Sequence, residues 1–429
     1  MYLPAEFQAS TRQLMGEPLY EQLVAGLQDE PTVSIHLNPF KTKGLRIDDD
    51  VTDGKVAWCD GGFYLNCRPH FTFDPFMHAG LYYVQEASSM FLYHVVSQLT
   101  TDKEPLTVLD LCAAPGGKSM IVRSALPEGS IVFSNEPLRQ RANVLNENLL
   151  KFGHPDVFVT NNYPKDYARA QATFDIVVAD VPCSGEGMFR KDEKAAAEWS
   201  TEKVAQCAKL QREIITDIWQ CLKPGGYLIY STCTFNRHEN EDNINWIAEN
   251  LGAMIVDIPV ETGWNTTNAL VPLYQKASVV RFIPGKSRGE GLFVALLRKS
   301  GKWTHTITKR EDLKAIASKR LNLMSAGVLP ATVKGKQMVP SHSEALSICL
   351  DRNKYPVAAV SYQQAISYLH KESLTLPPET PKGHILLTYN DVPIGFVKNI
   401  GQRANNLYPA EWKIKSSYIQ EQRQILIPL

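Results

Sequence analysis

Two cysteines stand just beyond short apolar runs, Cys183 in Asp180-Val181-Pro182-Cys183 and Cys233 in Ser231-Thr232-Cys233-Thr234. Both lie downstream of a glycine turn, Ala113-Ala114-Pro115-Gly116-Gly117-Lys118-Ser119. A thiolate is a nucleophile, and glycines let a backbone turn tightly and approach a ligand closely. The combination points to a nucleophilic sulfur beside a nucleotide-like cofactor. The other cysteines in apolar or unpatterned surroundings, Cys59, Cys67, Cys207, Cys221 and Cys349, read as small hydrophobes.

The turn has two readings. In a cofactor cradle, Pro115-Gly116-Gly117 brings the backbone close and the helix opening near Lys118 offers free N–H groups to a negative ligand. Glu136, twenty residues past Gly116, then falls where an acidic side chain meets ribose hydroxyls in Rossmann-like sites. In a phosphate-binding P-loop, Gly117-Lys118-Ser119 would be the tail, but the first glycine would have to occupy the position of Cys112. The cradle is the better fit.

The reaction that needs a thiolate here is addition to an electron-poor pyrimidine. C5 of cytosine is a weak nucleophile until sulfur adds at C6 and makes an enamine, which can accept a methyl group. The C5 proton must then leave and the sulfur be eliminated. One cysteine can serve addition while a second group helps release, and an aspartate such as Asp180 near N3 can stabilise the protonated base through a charge-assisted hydrogen bond. Residue chemistry alone does not say which cysteine does which.

Positioning these groups requires an α/β frame. Between about 107 and 299 short β-rich runs alternate with helical patterns, the order of a doubly wound sheet. Strands are expected at Thr107–Leu111, Ser130–Ser134, Asp156–Thr160, Phe174–Asp180, Tyr227–Thr232 and Gly291–Lys299. Leu138, Ala142, Leu145 and Leu149 recur at helical spacing. A long helix from about Thr201 to Leu222 is expected to stop at Lys223-Pro224-Gly225-Gly226, and Glu239–Asn250 to form another. If the fourth and fifth strands are neighbours, about 4.8 Å apart, both thiols reach one mouth at the carboxyl edge.

At 429 residues the chain is long enough for several domains. The expected division is an N-terminal domain over 1–100, with a helix at Tyr83–Val96, a Rossmann-like catalytic domain over 101–300, a connector domain over 301–375 and a β-rich module over 376–429 set off by Pro377-Pro378-Glu379-Thr380-Pro381. No leader pattern and no run of eighteen apolar residues is visible, so a soluble protein is expected. Eight cysteines without short repeated spacing suggest neither a disulfide framework nor a metal site, and fit a reducing cytoplasm. The net charge of zero is uneven. Residues 301–429 carry 17 Lys plus Arg against 9 Asp plus Glu, an excess of +8 that leaves −8 on the first 300. A basic end of this kind suits phosphate contacts.

Cys112-Ala113-Ala114-Pro115-Gly116-Gly117-Lys118, Asp180-Val181-Pro182-Cys183-Ser184-Gly185-Glu186-Gly187-Met188 and Ser231-Thr232-Cys233-Thr234, with Gln85-Glu86-Ala87-Ser88-Ser89 upstream, resemble the Sun (Nop2/NSUN) family of RNA cytosine-5 methyltransferases. The resemblance spans about residues 80 to 300 and implies an S-adenosylmethionine-dependent fold. It places Cys112, Ala113, Ala114, Pro115, Gly116, Gly117, Lys118 and Glu136 at the cofactor, and Asp180 near both the methionine end and the target base. It further implies that Cys233 is the nucleophile and that Cys183 assists product release. One departure stands out. The family has an aspartate after the third strand, near the adenine, where this chain reads Thr160-Asn161-Asn162-Tyr163-Pro164, leaving Asn162 and Tyr163 as candidates.

The tail resembles the RsmF-type bacterial branch. Ile394-Gly395-Phe396-Val397-Lys398, Lys413 and Asn406-Leu407-Tyr408-Pro409 look like its terminal PUA-like RNA-binding domain. Arg190-Lys191 is a further candidate for gripping RNA phosphate. The expectation is methylation of cytosine C5 in 16S ribosomal RNA or the small ribosomal subunit, by a monomer with no metal and no membrane partner. A transfer-RNA methyltransferase and a non-catalytic assembly factor are the alternatives.

Overall fold

The computed structural model describes residues 2–303, 309–335, 337–416 and 424–429; the 304–308 part of the expected connector and residues 417–423 of the tail lie outside the described residues. The chain opens with helix α1 (Ala5–Met15), whose Phe7 is fully buried edge-on against Phe189 and Trp199 at 5.1 and 5.7 Å. A small sheet follows, ordered Thr52–Lys55, Gly62–Leu65, Val33–Leu37, Tyr82–Val84.

That last strand corrects the helix expected at Tyr83–Val96. Tyr82–Val84 pairs antiparallel with Ile35–Leu37, a partner 45 to 49 residues away that local spacing does not reveal. Glu86 then takes the N–H groups of Ser88 and Ser89 at 2.9 and 3.0 Å, and the helix begins only at Phe91.

The catalytic sheet runs through β1 (Thr107–Asp110), β2 (Ile131–Asn135), β3 (Val157–Thr160), β4 (Phe174–Asp180), β5 (Leu222–Thr232), β6 (Ala253–Val256), β7 (Leu292–Lys299) and β8 (Leu323–Ala326), in the order β6-β7-β5-β4-β1-β2-β3-β8, with the short strand Val280–Phe282 also paired to β7. Strands β5, β4, β1, β2 and β3 run parallel, while β6, β7 and β8 pair antiparallel. Helices α2 (Gly117–Ala125), α3 (Arg139–Phe152), α4 (Thr201–Trp219) and α5 (Glu241–Leu251) flank it.

Both faces are covered, which is why the strands read as unbroken apolar runs. Val108, Val132, Val178 and Ile229 pack toward Ile121, Leu145 and Leu149; Leu109, Phe133, Val177 and Leu228 pack toward Ile215, Ile218, Ile244 and Ile247. Each such side chain contributes roughly 1.5–3 kcal/mol on burial. The chain order reverses between β1 and β4, so the crevice at their carboxyl ends is the place where ligands collect in such sheets.

Two other expectations are revised. Helix α4 stops at Trp219, and Leu222 already pairs with Phe174. Pro224-Gly225-Gly226 is a bulge within β5, after which Tyr227 pairs with Ile176, and Gly225 has the φ of +77° that the bulge requires. The segment expected to be a connector also supplies β8, which extends the catalytic sheet.

The C-terminal sheet runs Val357–Ala359, Gly383–Tyr389, Val392–Asn399, Ala404–Asn406. Its hairpin turns on Asn390 and Asp391, both at positive φ (45° and 63°), the two-residue geometry that matches strand twist. This sheet and the N-terminal one share a core in which Ile35, Phe76 and Tyr82 join Ile366, Leu387 and Val397. Leu45–Ile47 also pairs antiparallel with Leu426–Pro428, tying the two ends of the chain together.

Candidate active site

Strands β4 and β5 are hydrogen-bonded neighbours in parallel register, with Asp180 opposite Ser231. Cys183 follows β4 by three residues and Cys233 follows β5 directly, so both leave the sheet at its carboxyl edge. The sulfurs of Cys183 and Cys233 come to 3.1 Å. The two loops are tied by backbone bonds from Val181 N to Ser231 O (3.1 Å) and from Gly187 N to Cys233 O (2.9 Å). Gly187 allows this approach, since a Cβ there would lie 3.0 Å from the Cys233 carbonyl and 2.9 Å from that of Gly291.

Two buried glutamates complete the clamp. Glu239 accepts from Ser184 N (3.0 Å), the Ser184 hydroxyl, Gln211 Nε2 (2.8 Å) and Asn236 Nδ2 (2.8 Å). Glu186 accepts from Phe235 N (2.6 Å), Asn236 N (2.9 Å) and Trp199 Nε1 (3.0 Å). A buried carboxylate is costly unless donors surround it, and here every donor comes from one of the two cysteine loops or from a residue packed on them. Glu239 and Gln211 were not legible as site residues. Glu239 reads from the sequence as the first residue of a helix that the structure starts at Glu241, and its partners lie 28 and 55 residues away.

The electrostatics distinguish the thiols. Cys183 is pushed well above the ordinary thiol range, chiefly by its hydrogen bond to Cys233, then by burial and by the nearby Cys233 and Glu239 charges. The proton therefore stays on Cys183, whose sulfur faces that of Cys233. Lys118 Nζ lies 2.9 Å from Asp180 Oδ2, and Ser231 Oγ donates to Asp180 Oδ1 at 2.8 Å. Burial opposes the charge on Lys118, but Asp180, Cys233 and Asp110 outweigh it and hold the ammonium above the usual lysine range.

At the other side of the crevice, Gly116 adopts φ +118° and caps α2, whose first turn has no side-chain cap. A Cβ on Gly117 would lie 3.0 Å from Tyr83 and 3.1 Å from Gln85, so the N-terminal module abuts the turn. Asp110 accepts from Ser119 Oγ at 2.6 Å. Ala113 donates its N–H to Asn135 O at 2.8 Å, and Arg141 and Asn148 take the carbonyls of Ala114 and Pro115 at 3.1 and 2.8 Å. Cys112 is pushed far up by burial, then by Asp110, Asp180 and Glu136, and remains a neutral thiol. Glu136 is buried at the end of β2, with Oε1 on Leu138 N (3.0 Å) and Oε2 3.4 Å from Arg141. A left-handed glycine, uncapped helix N–H groups and a buried carboxylate at the ribose position fit S-adenosylmethionine.

The structure does not bring every candidate to the crevice in the same way. Asn162 turns its amide oxygen to the backbone N–H of Asn322 (3.1 Å), and Tyr163 is 58% exposed. Arg190 is not a phosphate grip. Its guanidinium pairs with Glu290 at 2.9 Å, bonds Gly26 O at 2.8 Å and has a side chain only 7% exposed, so it fastens the N-terminal helices to the catalytic domain.

A doubly wound sheet with an antiparallel β7 beside β5, a glycine turn after β1 and an acidic residue closing β2 is the arrangement of S-adenosylmethionine-dependent methyltransferases, and this chain is one of them. Residues 97–298 match the family model of 16S rRNA methyltransferase RsmB/F, residues 3–87 the N-terminal domain of 16S rRNA methyltransferase RsmF, and residues 355–414 the methyltransferase RsmF PUA domain. The chain belongs to the RsmF-type branch of this family of 16S rRNA methyltransferases. It is 29% identical over 476 residues to ribosomal RNA small subunit methyltransferase F of Photobacterium profundum, covering 96% of this chain and 97% of that one. It is 26% identical over 468 residues to the same-named protein of Enterobacter sp. (strain 638), covering 96% of each. Among solved structures, a methyltransferase homologue from Pyrococcus horikoshii shares the fold (TM-score 0.56, 24% identity, 68% of this chain and 94% of that one). So does NSun6 from the same organism (TM-score 0.56, 18% identity, 70% and 99%).

Proposed function

We propose that this enzyme methylates C5 of a cytosine in 16S ribosomal RNA, with Cys233 as nucleophile, Cys183 assisting release and Asp180 at the base. The observation that carries the reading is the 3.1 Å approach of the two sulfurs beside the Lys118–Asp180 pair. When bound, S-adenosylmethionine supplies an electrophilic methyl group on a sulfonium. The residues of the 112–118 turn and Glu136 hold it; Asn162 and Tyr163 are the candidates at its adenine end.

The Cys233 thiolate adds to C6 of an unpaired or flipped cytosine, and the displaced electron pair makes C5 nucleophilic. N3 takes up a proton from water as the sulfur adds, and Asp180, 2.9 Å from Lys118, accepts a charge-assisted hydrogen bond from the resulting N3–H. After C5 gains the methyl group the N3 proton returns to water, a second water takes the C5 proton, the C5–C6 double bond re-forms and the C6–sulfur bond breaks, returning the electron pair to Cys233. The Cys183 S–H, already aimed at that sulfur, stabilises the departing thiolate.

Among the described residues no helix is long and apolar enough to cross a membrane and no cluster of metal ligands is present. The eight free cysteines suit the cytoplasm. The test is methyl transfer by the purified protein to 16S ribosomal RNA, to small subunits and to transfer RNA, with mass-spectrometric mapping of products. 5-Methylcytosine in the ribosomal substrates alone is expected. Modification of transfer RNA alone, or of no RNA, would overturn the reading.

A further inference from the structure

We infer that a groove of about 720 Å³ between α1, the first half of α4 and the loop that follows Cys233 holds the phosphate backbone of the substrate RNA beside the target cytosine. This rests on the reading of the chain as an enzyme of RNA. Lys209, Arg212, Arg237 and His238 line the groove together with the hydroxyls of Ser10 and Thr201, and no carboxylate lines it. That composition is unusual for its location, because the first 300 residues carry a net charge of −8. A cationic island on an otherwise acidic part of the chain concentrates a polyanion there.

The basic side chains are arranged for use at the surface. Lys209 and His238 have side chains 81% and 65% exposed. Asp242 lies behind the rim, where it holds Arg237 through a bidentate contact and lies 3.2 Å from His238. Arg212 is oriented by Asn243 Oδ1 at 2.6 Å and by the face of Trp246. Glu213 meets Lys209 only at 4.0 Å, leaving its ammonium available to another anion.

The groove is continuous with the catalytic clamp. Asn236, one of its lining residues, donates from Nδ2 to Glu239 and Glu186, the carboxylates that hold the Cys183 and Cys233 loops together. Trp199 lines the groove and bonds Glu186 through its indole N–H. A strand lying in the groove thus touches Asn236, three residues past Cys233 in the chain.

The test uses the full chain with Lys209→Ala, Arg237→Ala and the double variant, and Lys302→Ala as a control at the opposite edge of the sheet. RNA affinity is measured by fluorescence anisotropy across a salt series, beside kcat, KM for RNA and affinity for S-adenosylmethionine. Loss of each phosphate contact is expected to raise the RNA Kd roughly fivefold and to flatten the log–log salt dependence by about 0.7. KM should rise in parallel, with kcat at saturating RNA and cofactor affinity unchanged and Lys302→Ala matching the unaltered protein. An unchanged RNA Kd, or a weaker Kd with an unchanged salt slope, would overturn the proposal. If the unaltered protein methylates no RNA, the proposed function fails by itself, whereas the groove is still judged by RNA binding.

Discussion

Glu239, six residues past Cys233, reaches the loop of the other thiol and takes both the backbone N–H and the hydroxyl of Ser184, the residue after Cys183. One carboxylate thereby spans the two catalytic loops, and its fully buried position makes the 3.1 Å sulfur separation a fixed property of the fold. Burial raises the Glu239 carboxyl, and the donors around it, Ser184 and Asn236 first, pull the other way.

Glu239→Gln replaces an acceptor of several hydrogen bonds by a group that must also donate, which places an N–H against donors on at least one side. Stability is expected to fall by roughly 2–4 kcal/mol. The kcat of the folded fraction is expected to fall at least about tenfold, with RNA affinity little changed. Chemical denaturation and single-turnover methylation measure the two effects. Unaltered turnover would mean that the clamp does not set the sulfur geometry.

The cysteine roles differ in their failure modes. Cys233→Ala is expected to abolish methyl transfer and leave no covalent RNA complex. Cys183→Ala is expected to permit addition and methylation but to slow elimination, so that an RNA-linked protein band survives denaturing electrophoresis. A trapped band with Cys233→Ala in place of Cys183→Ala would exchange the two assignments.

Glu136→Gln removes the charge proposed to face the cofactor's ribose while preserving shape. Hydrogen bonds to a charged acceptor are worth about 1.5–3 kcal/mol, so the S-adenosylmethionine Kd is expected to rise roughly 10- to 100-fold in calorimetric titration. A change below about twofold would remove Glu136 from the cofactor site.

Asp110 carries a pH signature. Its carboxyl is pushed up to about 7, by burial first, with Asp180 and Glu136 adding and Ser119 and Lys118 opposing. An unfolded aspartate titrates near about 4. Between those values the folded state keeps a proton that the unfolded chain has lost, so stability falls as pH rises through this window, by at most roughly 1.4 kcal/mol per unit, and levels off above it. Asp110→Asn keeps an acceptor for Ser119 and is expected to lose that slope. Urea unfolding from about pH 5 to about pH 8 compares the two proteins. Identical slopes would contradict the assignment.

The doubly wound sheet was readable because its strands are buried on both faces and announce themselves as apolar runs, as at Phe174–Asp180, broken by turns with local chemistry. The glycine turn, Glu136 and the paired cysteines followed from strand ends, since side chains just past parallel strands must gather at one edge. The helix expected at Tyr83–Val96 and the stop expected at Lys223–Gly226 failed where a distant strand partner, Val33–Leu37 in one case and Phe174 in the other, outweighed local spacing.

The order of residues therefore determined which chemistry the chain carries and on which strands its groups ride, because periodicity and turn residues act over a few positions. Tertiary structure alone decided that Glu239 and Glu186 bind the two loops, that Arg190 is spent on Glu290, that β8 extends the catalytic sheet and that the two ends of the chain share a core. Those contacts join residues dozens to hundreds of positions apart, and their energy comes from burying groups that no local pattern marks as partners.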